Sequence, residues 1–241
     1  ARWALERAHH ILAFLGSGFS ADSGVATFRD EDRGIYADET ILRMTRAQTF
    51  ETEPELQLAW HQRWREQLLE AKPSPAHRAL ARLAARTRVT IATQNIDLLT
   101  ESALREVGLT DHVEVLHLHG RLDRIRCVSC KHVWQDAGHD FIARQPCPKC
   151  GTERTRPDVV WFGEELPERE LERSMEAAQV ADVCLVIGTS GLVYPAASIP
   201  EIAKRSGARV LELNVAETSL TRLADVHLTG RAADVLPRVV P

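Results

Sequence analysis

The length, composition and charge of this chain exclude several classes of protein. It has 241 residues, of which 44% are hydrophobic and 27% charged, and its formal net charge is -4. This is the composition of a soluble globular protein and not of a disordered one. The mixed, mildly acidic charge argues against a nucleic-acid surface. Apolar runs such as 183–187 are only strand length, so we predict no membrane span. Since no secretory leader pattern is visible, we expect a cytoplasmic protein.

Short apolar strands alternate with amphipathic helices along most of the chain. The segments predicted as strands are 11–15, 89–93, 113–117, 183–187, 209–213 and 225–228, and those predicted as helices are 75–86, 97–107, 168–180 and 195–206. This alternation predicts an α/β fold with a doubly wound parallel sheet. Two insertions interrupt the pattern, a polar helical one at 30–73 and one at 123–156 that carries cysteines. We expect them to form a smaller second domain, and 1–29, 74–122 and 157–241 to form the larger one.

The first predicted strand ends in a turn that contains glycines. Residues 16–29 read GSGFSADSGVATFR. Gly16 and Gly18 allow backbone amides to approach a phosphate, and Arg29 is a cation that can pair with one. Ala21 interrupts the G-x-G-x-x-G fingerprint of dinucleotide binding. The turn alone therefore favours a nucleotide site and an ordinary strand–turn–helix corner about equally.

Polar residues follow the strand predicted at 89–93. Gln94, Asn95 and Asp97 surround the apolar Ile96, and their side chains can hydrogen-bond a ribose, a carboxamide and a water together. A simpler interpretation is that Asp97 caps the next helix and Asn95 is a turn residue. Spacing alone favours this simpler interpretation.

Two histidines lie at the end of the strand predicted at 113–117. His117 and His119 precede Gly120, and strand alternation places both on the same face. A histidine beside a flexible glycine at a strand end can act as a general base near neutral pH. We expect one of the two to do so and the other to be structural.

Four of the five cysteines form two C-x-x-C knuckles. Cys127 and Cys130 are separated from Cys147 and Cys150 by sixteen residues, which is the spacing of a four-thiolate zinc site. Two disulfides or a redox pair are the alternatives. Disulfides need an oxidising compartment, and a redox pair needs only one C-x-x-C knuckle whereas this chain has two. Protein fills all four positions, so we predict a structural zinc. The fifth, Cys184, lies in an apolar strand and is expected to be buried.

Seven motifs occur in one order along the chain. They are GSGFSADSGVATFR, QNID, LHG, the paired C-x-x-C knuckles, FGEELP, GTSGLVYPAA and LNVAET. Together they resemble the sirtuin (Sir2) family of NAD-dependent protein lysine deacylases, from Ile11 to Pro237, and most closely its short bacterial and archaeal members. The resemblance implies a Rossmann-like large domain, a small zinc-binding domain, and a cleft between them that holds NAD and an acyl-lysine peptide.

The resemblance also implies roles for individual residues. His119 matches the general base and acts with Asn95 as the catalytic pair, which leaves His117 as the structural histidine. The residues implied to bind NAD are Gly16, Ser17, Gly18, Ser20, Phe28, Arg29, Gln94, Asn95, Ile96, Asp97, Gly188, Thr189, Ser190, Asn214, Glu217 and Ala232. Those implied to hold the substrate backbone as a strand are Val160, Phe162, Gly163, Glu164, Val193 and Tyr194.

The family reaction defines the expected chemistry and its alternatives. The acyl oxygen of the modified lysine attacks the ribose carbon that carries nicotinamide, and His119 then deprotonates a ribose hydroxyl. Water completes the reaction, which yields nicotinamide, O-acyl-ADP-ribose and free lysine, while the zinc takes no part. An ADP-ribosyltransferase or NAD hydrolase shares the same NAD residues and stays an alternative. A non-catalytic NAD-sensing module is the other alternative.

Two positions in the first insertion bear on the choice of acyl group. Family members that remove succinyl or malonyl groups carry Tyr and Arg three residues apart, and here His61 and Trp64 occupy those positions. The cation that would pair with an acidic acyl group is therefore missing, and we expect a neutral acyl group. Protonated His61 is expected to restore some activity on acidic acyl groups below about pH 6.5.

Overall fold

Parallel strands form the largest sheet of the molecule. The structure is a computed structural model that describes residues 1–27, 39–136, 138 and 140–241. In this part of the chain the strands are β1 (His10–Leu15), β2 (Arg88–Thr93), β3 (Glu114–His117), β4 (Gly120–Cys127), β5 (Val133–Gln135), β6 (Thr155–Val159), β7 (Val183–Ile187), β8 (Arg209–Asn214) and β9 (Val226–Thr229). Six of them form this sheet in the order β3-β2-β1-β7-β8-β9, and each neighbouring pair is parallel.

Helices cover both faces of this sheet. In the described part of the chain the helices are α1 (Arg2–Arg7), α2 (Glu39–Met44), α3 (Ala47–Thr52), α4 (Pro54–Glu70), α5 (Pro75–Ala84), α6 (Leu99–Glu106), α7 (Glu168–Val180), α8 (Ser198–Arg205) and α9 (Ala232–Val239). Of these, α1 and α5 to α9 pack on the parallel sheet. Ile11, Ala13 and Leu15 of β1 share a buried apolar cluster with α1, α5, α6 and α9. Leu12 and Phe14 share another with α7 and α8. Alternate side chains of β1 therefore enter two helical layers, and the predicted doubly wound α/β fold is confirmed.

The strand order reverses between β1 and β7. The chain moves outward from β1 to β2 and β3 on one side, and from β7 to β8 and β9 on the other. Ligands of open parallel sheets bind outside the carboxyl ends of the strands at such a switch point. The turns that follow Leu15, Thr93, Ile187 and Asn214 all lie at this edge.

A second, antiparallel sheet has the order β5-β4-β6. Its apolar cluster combines Ile125 of β4 with Phe50 of α3 and Leu58 of α4. Helices from the first insertion therefore pack on strands that lead into and out of the cysteine-containing insertion. The sequence predicted no strands in this region.

Two helices begin later than the sequence predicts. The helix predicted from residue 97 begins at Leu99, because the Asp97 carboxylate accepts the Leu99 N–H (3.0 Å). The helix predicted from residue 195 begins at Ser198, because tight turns precede it, including one in which the Ala197 N–H donates to the Val193 carbonyl (2.9 Å). Local side-chain and turn bonds of this kind compete with helical bonds at the ends of helices.

Two Gly→Ala variants test how closely the backbone of β4 approaches that of β6. At Gly120 (φ 77°) a Cβ would lie 2.0 Å from the Asp158 carbonyl oxygen, whereas at Gly207 (φ 97°) it would meet no atom within 4 Å. Gly207→Ala should lower the free energy of unfolding by about 1–2 kcal/mol, the cost of a left-handed alanine. Gly120→Ala should lower it by more than about 4 kcal/mol. Urea unfolding followed by circular dichroism measures both, and equal losses would contradict the described contact.

Candidate functional site

One large cavity opens at the switch point of the parallel sheet. Its volume is about 890 Å³. Its walls are the turns after β1, β2, β7 and β8, the segment 159–164, and residues 192–195, which follow the β7 turn. Phe28 and Arg29 lie outside the described residues. All the other predicted catalytic, NAD and substrate residues line this cavity, namely Gly16, Ser17, Gly18, Ser20, Gln94, Asn95, Ile96, Asp97, His119, Val160, Phe162, Gly163, Glu164, Gly188, Thr189, Ser190, Val193, Tyr194, Asn214, Glu217 and Ala232.

The glycines after β1 allow two backbones to touch. The Gly16 N–H donates to the Ile187 carbonyl and the Gly18 N–H to the Gly188 carbonyl, both at 2.9 Å. A Cβ on Gly16 would lie 2.6 Å from the Gly188 oxygen, and one on Gly18 would lie 2.8 Å from the Gly188 Cα. The N–H groups of Gly16 and Gly18 themselves are therefore bonded to the chain at 187–188, and the approach of this turn to a phosphate stays a prediction. The sequence contains glycine here because the two turns pack backbone against backbone.

The turn after β1 continues as two short 3₁₀ turns, Ser17–Phe19 and Ala21–Ser23. No α-helix follows directly within the described residues. The second turn ends at Gly24, which has a left-handed backbone (φ 84°). The sequence predicted a helix entry here, and the structure has a compact loop instead.

A buried hydrogen-bond network joins the turns after β1 and β2. The Ser20 hydroxyl donates to the Asp97 carboxylate (2.8 Å), and the Asn95 amide nitrogen donates to Ser20 Oγ and to the Gly16 carbonyl (3.1 Å each). Burial raises the pKa of Asp97, while the bonds from Leu99 and Ser20 oppose that rise. The bonds from Asn95 to Ser20 and to Gly16 both use its amide nitrogen. Within the described residues its amide oxygen has no donor, so this oxygen can accept a bond in the cavity.

Amide side chains also connect the turns after β2, β7 and β8. The Gln94 amide nitrogen donates to Thr189 Oγ1 (2.9 Å) and to the Leu15 carbonyl (3.3 Å). The Asn214 amide nitrogen donates to the Thr189 carbonyl (2.9 Å). Thr189 is therefore held from both sides, and the four turns form one connected rim.

His119 has the hydrogen-bonding pattern of a neutral base. Its Nδ1 donates to the Gln94 carbonyl (2.9 Å), so Nε2 carries the lone pair. Burial lowers the pKa of His119 below its ordinary value, and the bond to Gln94 opposes this effect only in part. The ring is therefore neutral near pH 7 and can accept a proton on the nitrogen that no described residue occupies.

His117 is turned away from the cavity and is buried. Its Nδ1 lies 3.0 Å from the Asn95 carbonyl oxygen and its Nε2 lies 2.6 Å from Glu101 Oε1. Burial raises the pKa of Glu101, but the interactions with His117, a backbone hydrogen bond and the charge of Arg121 together outweigh it, so the net shift is downward. His117 thus fixes the backbone of the Asn95 turn, and the geometry distinguishes it from His119.

The four cysteines of the knuckles converge on one point. Their sulfurs all lie within 4.8 Å of one another, and Cys127–Cys150 and Cys130–Cys147 are each 3.6 Å apart. Four thiolates at about 2.3 Å from a tetrahedral zinc are about 3.8 Å apart, whereas a disulfide needs about 2.05 Å. The cluster therefore fits zinc and leaves no ligand position open, and it lies outside the large cavity. Cys184 is fully buried, and burial raises its pKa to about 12.

The segment after β6 is occupied largely by bonds within the protein. The Val160 N–H donates to the His119 carbonyl (2.9 Å), and Phe162 pairs with the chain at 45–47 through its N–H and carbonyl (2.8 and 3.1 Å). Both carboxylate oxygens of Glu164 accept bonds from the protein, one from Arg156 and one from the Trp161 N–H. Among the described residues, the N–H of Gly163 has no protein acceptor.

His61 is neutral in this structure. Its Nδ1 donates to the Gln57 carbonyl (2.9 Å) and its Nε2 accepts the Trp161 indole N–H (3.0 Å). Burial lowers the pKa of His61 to about 4. The expectation that His61 becomes charged below about pH 6.5 is therefore wrong, because the sequence did not reveal the burial of this helix face.

Several residues of the cavity were missed from the sequence. Asp22 accepts bonds from Arg231 and from the Ala233 N–H (3.0 Å), which joins the turn after β1 to α9. No sequence signal connects positions so far apart. Trp161 and Thr45 also line the cavity. Trp161 directly precedes the FGEELP motif, and extending that motif by one residue would have included it.

Comparison with known proteins gives the family. The model of the Sir2 family matches residues 16–195. The NAD-dependent protein deacylase of Pyrococcus furiosus is 41% identical over 244 residues, which cover 98% of this chain and 94% of that protein. NAD-dependent protein deacylase 2 of Pyrobaculum aerophilum is 42% identical, with 98% and 92% covered. The chain belongs to the Sir2 family.

Solved structures agree with this assignment. A Sir2 homologue in complex with ADP-ribose has a TM-score of 0.89 and 36% identity, over 98% of this chain and 92% of that one. A Sir2 homologue in complex with NAD has a TM-score of 0.85 and 38% identity, over 98% and 90%. A Sir2 protein with a deacetylated p53 peptide and 3'-O-acetyl ADP-ribose has a TM-score of 0.81 and 28% identity, over 98% and 94%.

The two histidines should respond differently to substitution. His119→Ala should keep NAD binding but lower turnover by at least about two orders of magnitude, the scale of a general base. His117→Ala should mainly lower stability, since it leaves the Glu101 carboxylate without its buried partner. Steady-state kinetics and calorimetric NAD titration of both folded variants test this. A larger turnover loss for His117→Ala would assign the base to His117.

The cysteine cluster predicts one zinc per chain. Any one of the four Cys→Ala changes should destabilise the protein, because the binding energy of a structural zinc is folding energy. Cys184→Ala is the matched control and should cost no more than an ordinary core truncation. Elemental analysis and thermal unfolding are the measurements. Well under one zinc per chain in folded, active protein would refute the site.

Proposed function

We propose that this chain is an NAD-dependent protein lysine deacylase that yields nicotinamide, O-acyl-ADP-ribose and free lysine. The observation that carries the proposal is one cavity that joins the polar switch-point turns, a neutral His119 and a segment with a free backbone donor. A base, a nucleotide site and a peptide site are thus adjacent. Within the class of neutral acyl groups, we propose acetyl as the group removed.

The cavity fits NAD on its polar side. The cofactor residues proposed here are those named above on the turns after β1, β2, β7 and β8, with Phe28 and Arg29 proposed from the sequence alone. No bond to the Asn95 amide oxygen is seen among the described residues, so it can accept one from a carboxamide or an ordered water. When bound, NAD supplies a ribose carbon joined to a positively charged nicotinamide, a leaving group that needs no acid.

The residues of this chain then have separable tasks. His119 Nε2 accepts the proton of a ribose hydroxyl, and Nδ1 holds the ring in place against Gln94. Asn95 positions the reacting groups, because its side chain is fixed between Gly16 and Ser20. The apolar side chains that line part of the cavity limit the access of bulk water. This favours attack of the acyl oxygen on the ribose carbon over hydrolysis of NAD by water.

The substrate is proposed to be a protein segment that binds as an extended strand. The Gly163 N–H, which has no acceptor among the described residues, can donate a main-chain bond, and Tyr194 in the same cavity lining is 60% exposed. A strand lying between the two segments would use backbone bonds for affinity. Val160, Phe162, Glu164 and Val193 would then shape this groove.

The remaining organisation of the protein follows the same proposal. The segments 30–73 and 123–156 form a small domain held by a structural zinc, and the rest of the chain forms the NAD-binding domain. Within the described residues, no helix has the length and apolar character needed to cross a bilayer. We propose a cytoplasmic location and no nucleic-acid partner.

Product analysis separates this function from its alternatives. Incubation with NAD and an acetyl-lysine peptide should give O-acetyl-ADP-ribose and free lysine by mass spectrometry. ADP-ribosylated protein would indicate a transferase, free ADP-ribose a hydrolase, and no product an NAD sensor. The same incubation with His119→Ala is the control for contaminating activity.

The acyl pocket predicts discrimination against acidic acyl groups. Beside neutral His61 and the indoles of Trp64 and Trp161, a carboxylate would lose its hydration at a cost of several kcal/mol. No Lys or Arg among the described residues offers it an unpaired cation there, since Arg156 behind the Trp161 ring is already bonded to Glu164. Catalytic efficiency on a succinyl-lysine peptide should therefore be far below that on the matched acetyl-lysine peptide.

The pH dependence follows from the pKa of His61. Since this pKa is lowered to about 4, the ring stays neutral throughout a titration from about pH 7.5 to 5.5. The ratio of succinyl to acetyl efficiency should consequently change only as the succinyl carboxylate itself takes up protons, which is a continuous rise toward low pH. A ratio that rises and then levels off below about pH 6.5, as protonation of a histidine would produce, or equal turnover of the two peptides at neutral pH, would contradict this description.

A further inference from the structure

A buried guanidinium lies behind the proposed substrate segment. Arg156 on β6 has a side chain that is 5% exposed, and no motif assigned it a role. Its Nη1 donates to the Val159 carbonyl (2.8 Å), and its Nη2 donates to the Glu164 carboxylate. The guanidinium carbon also lies 3.9 Å from the centre of the Trp161 ring. One cation therefore contacts the start, the middle and the end of the segment 159–164.

Glu164 connects Arg156 to the backbone of the segment 159–164 through hydrogen bonds. The carboxylate oxygen that Arg156 does not bind accepts the Trp161 N–H (2.9 Å), and the Glu164 N–H donates to the Trp161 carbonyl (3.0 Å). These two bonds close a tight turn over 161–164. Gly163 lies inside that turn with a left-handed backbone (φ 93°), which sets the direction of its free N–H.

Trp161 links Arg156 to the part of the cavity that is lined by His61 and Trp64, where the acyl chain is proposed to bind. Its indole N–H donates to His61 on α4 (3.0 Å). The Gln57 side chain on the same helix donates to the carbonyls of Met44 and Arg46 (2.7 and 3.0 Å), beside the stretch that pairs with Phe162. The segment is thus held from α4 on one side and from Arg156 on the other.

We propose that Arg156 is a positioning residue for the acylated peptide. By holding Glu164 and stacking on Trp161, its guanidinium fixes both the donor that meets the peptide backbone and the wall that meets the acyl chain. This inference rests on the proposed function. Its effect falls on the peptide, because the described bonds of Arg156 go to residues 157, 159 and 164 and none goes to the turns proposed to bind NAD.

Three variants test the proposal. Arg156→Met removes the donors at similar length, and Glu164→Gln removes the charge but keeps an oxygen for the Trp161 N–H. Arg126→Met is the matched control, since Arg126 is on the adjacent strand β4 and pairs with Asp158 (2.7 Å) instead of the segment. The measurements are the KM and kcat for an acetyl-lysine peptide and the Kd for NAD by calorimetry, on samples checked for folding and zinc content.

The expected result is a selective loss of peptide affinity. Arg156→Met and Glu164→Gln should raise the peptide KM roughly tenfold with kcat within about threefold and the NAD Kd within about twofold of the unmodified protein. Arg126→Met should leave all three unchanged.

Two results would overturn the proposal. One is an unchanged peptide KM in folded Glu164→Gln, which also decides the matter if Arg156→Met fails to fold. The other is an equal rise of peptide KM and NAD Kd, which indicates general loosening. Failure of the proposed function itself is separate: the unmodified protein would not deacylate, and peptide Kd by fluorescence anisotropy would then replace KM in the same comparison.

Discussion

The close contact between the turns after β1 and β7 is the constraint on which the site depends. Gly16 and Gly18 donate their N–H groups across the switch point, and Gly188 meets them with a left-handed backbone (φ 63°). A Cβ at any of the three would lie within 2.8 Å of backbone atoms of the opposite turn. Because the two backbones touch, the side chains that follow them, such as Ser20 and Thr189, are brought to one rim.

The rim in turn sets the state of the groups proposed to be catalytic. Asn95 and Gln94 use their amide nitrogens to bind the neighbouring turns, so their remaining acceptors and carbonyls have fixed directions. The Gln94 carbonyl fixes the tautomer of His119, and burial keeps that ring neutral. Hydrogen bonds inside such a buried network are worth more than exposed ones, and an unpaired member costs correspondingly more. The arrangement is therefore rigid before any ligand binds, which reduces the cost of orienting the reacting groups.

Much of this could be predicted from the sequence, because its signals are local or repeated. Strand–helix alternation predicted the sheet, and the knuckle spacing predicted the sulfur cluster that Cys127 and Cys150 help to form. Contacts between residues that are far apart in the chain could not be predicted from the sequence. The burial of His61, and with it the lowered pKa, results from contacts with Trp161, which is 100 positions away. The pairing of Arg156 with Glu164 and the role of Gly16 in backbone contact depend likewise on the geometry of turns, which residue types alone do not specify.

The most direct test of the account is whether nicotinamide release depends on acylated lysine. If His119 is the base and the segment 159–164 holds the peptide, as proposed, both adjoin one rim and the two substrates should be coupled. We therefore expect nicotinamide release from NAD to be slow with the unmodified peptide. With the acetyl-lysine peptide it should be fast, one nicotinamide for each lysine freed, as measured by liquid chromatography of the same samples. Nicotinamide release at the same rate with and without the acetyl group would contradict the account.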